Sequence, residues 1–217
     1  MPLTPDLTTF TTASPTLTSF SYDEIISGQG IAEFFLYDAY SDTTPTTVYK
    51  ISDKSSIYSN DANHTAAGTR STSFVLIDTL TFDSSLFNDR RVAQGTATVN
   101  ATHFGRGGGG YVGSGRLDVS LYHVSGATET QIGATVRTKE ANGASGVTVY
   151  KTNCLTYTIS KIVFKKGDFL RVKVATWAKT SNGSGDGRGG FLFDPVGRAV
   201  VGADTTQFSI KLPFDKI

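Results

Sequence analysis

The sequence of 217 residues has little cysteine and almost no net charge. Its single cysteine, Cys154, excludes an intramolecular disulfide framework and a cysteine-rich zinc site. No base motif accompanies Cys154, so we predict a small core residue rather than a nucleophile. Twenty basic residues oppose nineteen acidic ones, which gives a formal charge of +1. A dedicated nucleic-acid-binding domain carries a basic surface, so we expect no nucleic-acid partner.

Long apolar runs are also absent from the sequence. No run approaches the roughly 20 residues of a membrane-spanning helix, so we expect no membrane partner. The first residues, Met1 to Asp6, lack the basic segment and apolar core of a signal peptide. We therefore predict a protein that is made in a cytoplasm.

Signatures of catalysis and of metal binding are missing as well. The sequence contains no Gly-x-Ser-x-Gly, no His-Glu-x-x-His and no kinase signature. The histidines, His64, His103 and His123, are too scattered for a metal-ligand spacing. We predict that the protein is not an enzyme and has no catalytic residue, no cofactor and no metal site. A pair of glutamates that the fold brings together across a cleft stays an alternative.

What the sequence does contain, from Thr18 onward, is apolar residues that recur with a period of two. Three runs, 116–122, 170–174 and 208–214, show the alternation most clearly. Strands with one buried and one solvated face alternate in this way in antiparallel sheets. We predict that these runs are strands and that they direct the following residues into one core: Leu117, Val119, Leu121, Val172, Val174, Phe208 and Ile210.

Similar runs indicate about ten strands in all. They lie near 18–22, 30–38, 47–52, 73–82, 93–104, 115–124, 130–138, 146–159, 168–178 and 205–214. Turn residues separate them, and no window of a dozen residues has helical amphipathicity. The sequence therefore predicts an all-β fold, an antiparallel, jelly-roll-like β-sandwich that forms a single domain over residues 18–217.

Residues 1–17 differ from the rest because they hold three of the six prolines among threonines and serines. Such a segment cannot propagate a helix and buries little apolar surface. We predict an extended N-terminal arm, and a disordered tail is the alternative. The candidate anchors of this arm on a partner are Leu3, Leu7, Phe10 and Leu17.

Two glycine-rich stretches, 105–115 and 181–190, predict mobile loop tips at the end of the sandwich. The first lacks the lysine and the following helix of a phosphate-binding loop. The second would supply only two or three side-chain oxygen ligands to a metal ion. Calcium takes about six to eight oxygen ligands, so we prefer a bare tip, with calcium as the alternative.

Two aromatic residues are candidates for contact between copies of the chain. Trp177 lies on the face opposite Val172 and Val174. Tyr122 is the last residue of the alternating run 116–122. Aromatic residues are enriched at the centres of interfaces, so we predict that Trp177 and Tyr122 bind a partner. Stacking of a sugar ring on an aromatic side chain is the alternative.

Several segments carry a resemblance to a known group of proteins. They are Ser19–Tyr22 before Gly28-Gln29-Gly30, Asp78–Asp83, Gln94–Val99, Phe164–Val174, Phe193–Arg198, Asp204–Phe208 and Leu212–Phe214. Over most of residues 18–217 the chain resembles jelly-roll-like virion structural proteins of tailed phages and archaeal tailed viruses. The resemblance implies a capsid decoration or minor capsid protein, and it brings no catalytic residues.

The function that this resemblance implies is adhesion within a bacteriophage-like virion assembled in the host cytoplasm. The protein would bind the major capsid protein or other virion proteins and stabilise the shell through contacts between its own copies. Symmetry favours a closed oligomer, and we expect a homotrimer. A carbohydrate- or receptor-binding module of a tail or fibre is the alternative.

Overall fold

The computed structural model describes residues 29–40 and 47–215, which contain twelve β-strands and no helix. The strands are β1 (Gln29–Tyr40), β2 (Thr47–Ser52), β3 (Asn63–Thr65), β4 (Val75–Ser84), β5 (Arg91–Gly107), β6 (Gly113–Ser125), β7 (Thr128–Arg137), β8 (Ala141–Gly143), β9 (Thr148–Phe164), β10 (Phe169–Thr180), β11 (Gly187–Leu192) and β12 (Ser209–Asp215). The predicted all-β class is confirmed. The predicted arm and the predicted strand at 18–22 lie outside the described residues. A helix long and apolar enough to cross a membrane was not found in the described ranges.

The other nine predicted strands correspond to β1, β2, β4, β5, β6, β7, β9, β10 and β12. Three observed strands, β3, β8 and β11, were not predicted. They are short and rich in glycine or polar residues, so they lack the alternation of apolar side chains on which the sequence prediction depends.

The strands form one hydrogen-bonded network that folds into two facing layers. The first layer has the order β9-β5-β12-β1-β2. Beyond the end of β12, the strand that pairs with β5 is β11, and β3 pairs with β11. The second layer has the order β4-β10-β6-β7, with β8 beside β6. The two layers join along one edge through β2 and β4. This contact pairs Lys50 with Asp83 and Ile51 with Ser84.

The contact between β2 and β4 is parallel, whereas all other strand pairs of the described residues are antiparallel. The prediction of a purely antiparallel sandwich is wrong at this edge. The strand order is that of a β-sandwich and does not confirm a jelly roll.

The core between the layers contains the residues that the alternation predicted. Leu117, Leu121, Val172, Val174, Phe208 and Ile210 are 0% exposed, and Val119 is 1% exposed. In β10 buried and partly exposed residues alternate along the whole strand. Burial of one such side chain contributes roughly 1.5–3 kcal/mol to folding. The alternating strands and their shared core are therefore confirmed.

Cys154 departs from its prediction. In β9 the core-facing side chains are Leu155, Tyr157 and Ile159, so the residue before Leu155 points to the other face of the sheet. Cys154 is accordingly exposed. The prediction of a core cysteine is wrong.

Ten of the 21 residues in the two glycine-rich stretches are in strands, so the predicted long tips are wrong in extent. β5 continues to Gly107, β6 begins at Gly113, and β11 begins at Gly187. Only 108–112 and 181–186 lie between strands. These glycines belong to the sheets because they allow backbones to approach where a side chain would not fit.

Four buried glycines, Gly105, Gly107, Gly113 and Gly115, form what we call the glycine seam. A Cβ atom on Gly105 would overlap the carbonyl oxygen of Ala141 in β8, and one on Gly115 would overlap the carbonyl oxygen of Phe104. The other two lie equally close to backbone across the turn from β5 to β6. The backbones of β5, β6 and β8 thus meet with no side chain between them.

The opposite end of the sandwich is filled by aromatic rings, and we call it the phenylalanine end. The ring centroids of Phe87 and Phe164 are 4.8 Å apart, and those of Phe164 and Phe214 are 6.0 Å apart. Phe34 reaches the same cluster, with its centroid 6.2 Å from that of Phe214. β5 runs from the phenylalanine end at Arg91 to the glycine seam at Gly107.

The glycine seam gives a first prediction. Replacing Gly105 with alanine adds one methyl group against backbone that cannot move independently, and we expect the free energy of unfolding to fall by about 1–3 kcal/mol or more. Gly30→Ala is the matched control, because a Cβ at Gly30 has no neighbour within 4 Å. Urea denaturation of both variants measures the difference. Equal stability of the two would show that the seam is not close-packed.

Candidate functional site

A cleft with a volume of about 470 Å³ lies at the phenylalanine end. One wall comes from β1 and β2 with the residues after β2, and the other wall comes from residues 84–91. It is lined by Ala32, Phe34, Tyr37, Ile51, Ser52, Asp53, Lys54, Ile57, Ser84, Ser85, Leu86, Phe87, Asn88, Asp89 and Arg91. We call it the end cleft.

The end cleft exists because β4 stops at Ser84 and the chain crosses the end of the sandwich before β5 begins. Two backbone hydrogen bonds hold this crossing segment in place. The amide of Phe87 donates to the carbonyl oxygen of Asp168 at 2.8 Å, and the amide of Gly167 donates to the carbonyl oxygen of Phe87 at 2.9 Å. The ring of Phe87 is thereby fixed below the cleft.

The floor and the rim of the end cleft differ in chemistry. Phe34, Ile51 and Phe87 on the floor are buried core residues. Four exposed charged residues stand at the rim: Asp53, Lys54, Asp89 and Arg91. None of the four forms an ion pair with a residue in the described ranges. The cleft therefore offers an apolar surface bordered by charges of both signs.

The position of Arg91 is set by aromatic rings rather than by a carboxylate. Its guanidinium carbon lies 5.8 Å from the ring centroid of Phe87 and 5.9 Å from that of Phe214. A cation over an aromatic face is attracted by the ring, and its N–H groups remain available at the edge of its plane. Tyr37 also lines the cleft, and burial raises the pKa of its hydroxyl, which stays neutral at neutral pH.

A histidine–aspartate pair lies behind the end cleft. His123 Nε2 is 2.7 Å from Asp168 Oδ2, which also accepts the backbone amide of Lys165 at 2.7 Å. Desolvation raises the pKa of Asp168, but hydrogen bonds from Lys165, His123 and Ser125 outweigh it and lower the pKa to about 2. Ser125 and His123 thus bind the same carboxylate. A catalytic triad needs the imidazole between hydroxyl and carboxylate, so these three residues do not form one.

His103 is completely buried between strands. Its Nε2 lies 2.7 Å from the carbonyl oxygen of Lys139, and its Nδ1 lies 3.3 Å from the amide nitrogen of Asn153. A carbonyl oxygen only accepts, so Nε2 carries the proton and Nδ1 accepts from Asn153. Burial lowers the pKa of His103 to about 4. His103 is therefore a neutral structural residue at neutral pH.

The predicted interface residues Trp177 and Tyr122 both lie on the outer face of the second layer, in separate clusters. Arg116 stacks between aromatic rings, with its guanidinium carbon 4.0 Å from the centroid of Phe74 and 5.5 Å from that of Trp177. Leu76, which pairs with Trp177, is 50% exposed. We call Phe74, Leu76, Arg116 and Trp177 the outer-face patch.

The outer-face patch contains two polar atoms whose hydrogen-bonding capacity is not used by the part of the chain that the structure describes. They are Arg116 Nε and Trp177 Nε1, both buried. Tyr122 stands elsewhere, beside Lys173, whose ammonium is 4.5 Å from its ring centroid. The partner role of Trp177 and Tyr122 stays a prediction, as does the homotrimer. The anchors Leu3, Leu7, Phe10 and Leu17 lie outside the described residues.

Groups of three or more His, Cys, Asp or Glu side chains that could hold a metal ion were not found in residues 29–40 and 47–215. In the second glycine-rich stretch, Asp186 forms an ion pair with Arg188 at 3.1 Å, so its carboxylate already has a cationic partner.

The end cleft itself was not predicted from the sequence. Its residues come from separate segments around Phe34, Ile51 and Phe87, and the chain passes through the core between them. The one local signal is that charged residues stand directly beside apolar core residues, as in Ile51-Ser52-Asp53-Lys54.

Comparison with known proteins gives a likeness of fold. No protein-family model and no curated protein matches the chain. Among solved structures, a selenomethionine-labelled α-amino acid ester hydrolase matches 84% of this chain and 36% of its own, with 11% identity and a TM-score of 0.55. A CocE/NonD family hydrolase from Staphylococcus aureus matches 87% of this chain and 37% of its own, with 11% identity and a TM-score of 0.48. An aminopeptidase from the marine sediment archaeon Thaumarchaeota archaeon matches 84% of this chain and 37% of its own, with 7% identity and a TM-score of 0.46.

The chain thus spans about a third of the length of the hydrolases it matches. At 11% identity the likeness to the ester hydrolase shows a shared β-sandwich fold. The match covers 84% of this chain, which is more than either layer of the sandwich contains. The likeness therefore extends over both layers.

These comparisons overturn the virion interpretation. A solved structure that matches with a TM-score above 0.5 is an ester hydrolase, and no family model or curated protein matches the chain. The predictions of a capsid decoration or minor capsid protein, of a tail or fibre module, of a virion location and of a protein that is not an enzyme are wrong. The resemblance misled because it depended on strand and turn patterns, which sandwiches of unrelated function share.

His103 gives a prediction for pH dependence. Its folded-state pKa of about 4 is below the unfolded value, so its neutral form stabilises the fold above pH 6.5, and this contribution is lost as pH falls towards 4. His103→Gln can keep a donor and an acceptor but does not titrate. We expect thermal denaturation to show a weaker loss of stability between pH 6.5 and 4 for the variant than for the native chain. The same pH dependence in both would contradict the assignment.

Proposed function

We propose that the chain is the β-sandwich domain of a hydrolase that cleaves ester bonds. The observation that carries the proposal is the match of 84% of the chain to an α-amino acid ester hydrolase at a TM-score of 0.55. A fold can serve many functions, so this likeness supports the proposal and experiment has to decide it.

The bond-breaking residues are assigned to a part of the enzyme that lies outside the described β-sandwich. Two observations support this division. The match covers 36% of the ester hydrolase, so most of that enzyme has no counterpart here. Within the described residues, Ser125 and His123 both bind Asp168, and no hydroxyl is activated by the imidazole. In this proposal the sandwich supports the catalytic part and contributes the end cleft to the binding of small molecules.

The outer-face patch is the surface that we assign to contact with the catalytic part. A buried donor without an acceptor costs about 1–3 kcal/mol, and Arg116 Nε and Trp177 Nε1 have no acceptor among the described residues. In the proposed complex the side chains that cover these atoms move on docking, and carbonyl or carboxylate oxygens of the partner accept from both. Tryptophan and arginine are also the residues that most often dominate binding energy at interfaces.

The first test measures ester hydrolysis. The chain carries an affinity tag in the cells that make it naturally and is purified under mild conditions, and the fractions are assayed with amino-acid methyl esters and p-nitrophenyl acetate. We expect hydrolysis to elute in constant ratio to the chain through a second sizing column. Fractions that contain the chain but never hydrolyse either ester above the rate in buffer would refute the proposal.

The second test concerns the docking surface. Trp177→Ala removes the ring and the donor, and we expect the co-eluting esterase activity to fall at least about tenfold, the equivalent of 1.4 kcal/mol. Trp177→Phe keeps a ring without the Nε1 donor and should give an intermediate loss. Tyr58→Ala is the control, since Tyr58 is 72% exposed and lies outside the patch. Full retention by Trp177→Ala, with an unchanged melting temperature, would remove the patch from the interface.

A further inference from the structure

We infer that the end cleft binds an apolar amino acid, either free or as the terminal residue of a short peptide. The inference deepens the proposed function and rests on it only for its biological role, because hydrolysis of an amino-acid ester releases an amino acid. The geometry of the cleft supports the binding independently.

The size and floor of the end cleft suit one apolar side chain. Its volume of about 470 Å³ falls in the range of roughly 300–1,000 Å³ that is usual for small-molecule sites. Phe34, Ile51 and Phe87 supply the floor, and each is less than 10% exposed. An aromatic or branched aliphatic side chain that lies on this floor would leave its polar groups at the rim.

Arg91 is the group that we assign to the ligand's carboxylate. Two arginines of the sheets bind carboxylates of the chain itself, Arg171 with Asp83 and Arg137 with Asp118, whereas Arg116 stacks on aromatic rings in the outer-face patch. Arg91 also stacks on rings and forms no ion pair with a described residue. Its planar guanidinium is therefore oriented by packing and can bind a carboxylate with two N–H groups.

The signs of the rim charges decide the class of ligand. Asp53 and Asp89 line the same cleft as Lys54 and Arg91. A simple anion such as phosphate would meet the two carboxylates, and a simple cation would meet the two basic groups. A zwitterion satisfies both, with its carboxylate on Arg91 and its ammonium on Asp53 or Asp89. An amino acid with an apolar side chain combines this zwitterion with a group for the floor.

The experiment titrates the isolated chain with L-phenylalanine and follows backbone amide signals by NMR. We expect saturable shifts at residues 51–54 and 84–91. N-acetyl-phenylalanine lacks the ammonium and phenylalanine amide lacks the carboxylate, and each should bind at least about tenfold more weakly, a difference of 1.4 kcal/mol. Alanyl-phenylalanine distinguishes the two sources: tighter binding than phenylalanine indicates a peptide end, and weaker binding indicates the free amino acid.

The matched pair of variants is Arg91→Ala and Arg90→Ala. Arg90 directly precedes β5 and Arg91 begins it; both are exposed, but only Arg91 lines the cleft. We expect Arg91→Ala to abolish the shifts and Arg90→Ala to keep them, with both variants folded as judged by the dispersion of their amide signals. Absence of saturable shifts at millimolar phenylalanine, or equal binding by the two variants, would overturn the inference even if ester hydrolysis co-elutes with the chain. Binding without any hydrolysis would leave the inference standing and refute the proposed function.

Discussion

The contact between backbones at the glycine seam is the constraint from which the shape of the protein follows. Where Gly105 and Gly115 bring β5, β6 and β8 together, no side chain separates the strands. Facing sheets usually lie about 10 Å apart with interdigitating side chains between them. At the phenylalanine end the rings of Phe87, Phe164 and Phe214 pack against one another instead.

The end cleft lies beside the aromatic rings of the phenylalanine end. The rings of Phe87 and Phe214 fill this end, and the same two rings orient Arg91 at its surface. The two rings that pack in the core therefore also fix the position of the Arg91 guanidinium at the surface. The pair of His123 and Asp168 stabilises the segment behind the cleft, because Asp168 lies in the turn to which the backbone of Phe87 is hydrogen-bonded. His123 and Asp168 are residue types common in catalytic sites, but in this structure their contacts stabilise a turn.

The sequence predicted those parts of the fold in which side chains alternate. Leu117, Val119 and Leu121 face the core as the period of two requires, because each replaces water with apolar neighbours. β11 was missed since glycine carries no side chain that could report which face is buried, and flexible tips were predicted where backbones are in contact. The end cleft was missed because it depends on contacts between segments as distant as Ile51 and Phe87. The period of two in the apolar residues gives no information about function, so it could neither support nor correct the virion interpretation.

The short parallel contact between β2 and β4 has a consequence for motion. Among the described residues, this edge joins the two layers through Lys50 with Asp83 and Ile51 with Ser84 alone, whereas β5 and β9 are paired over almost their whole length. Local opening requires fewest broken hydrogen bonds where a ladder is shortest. We therefore expect native-state opening to begin at the wall of the end cleft, so that amide protons of Ile51 and Ser84 exchange with solvent before those in the middle of β5. The same edge that borders the cleft is then the part of the sandwich that opens most easily.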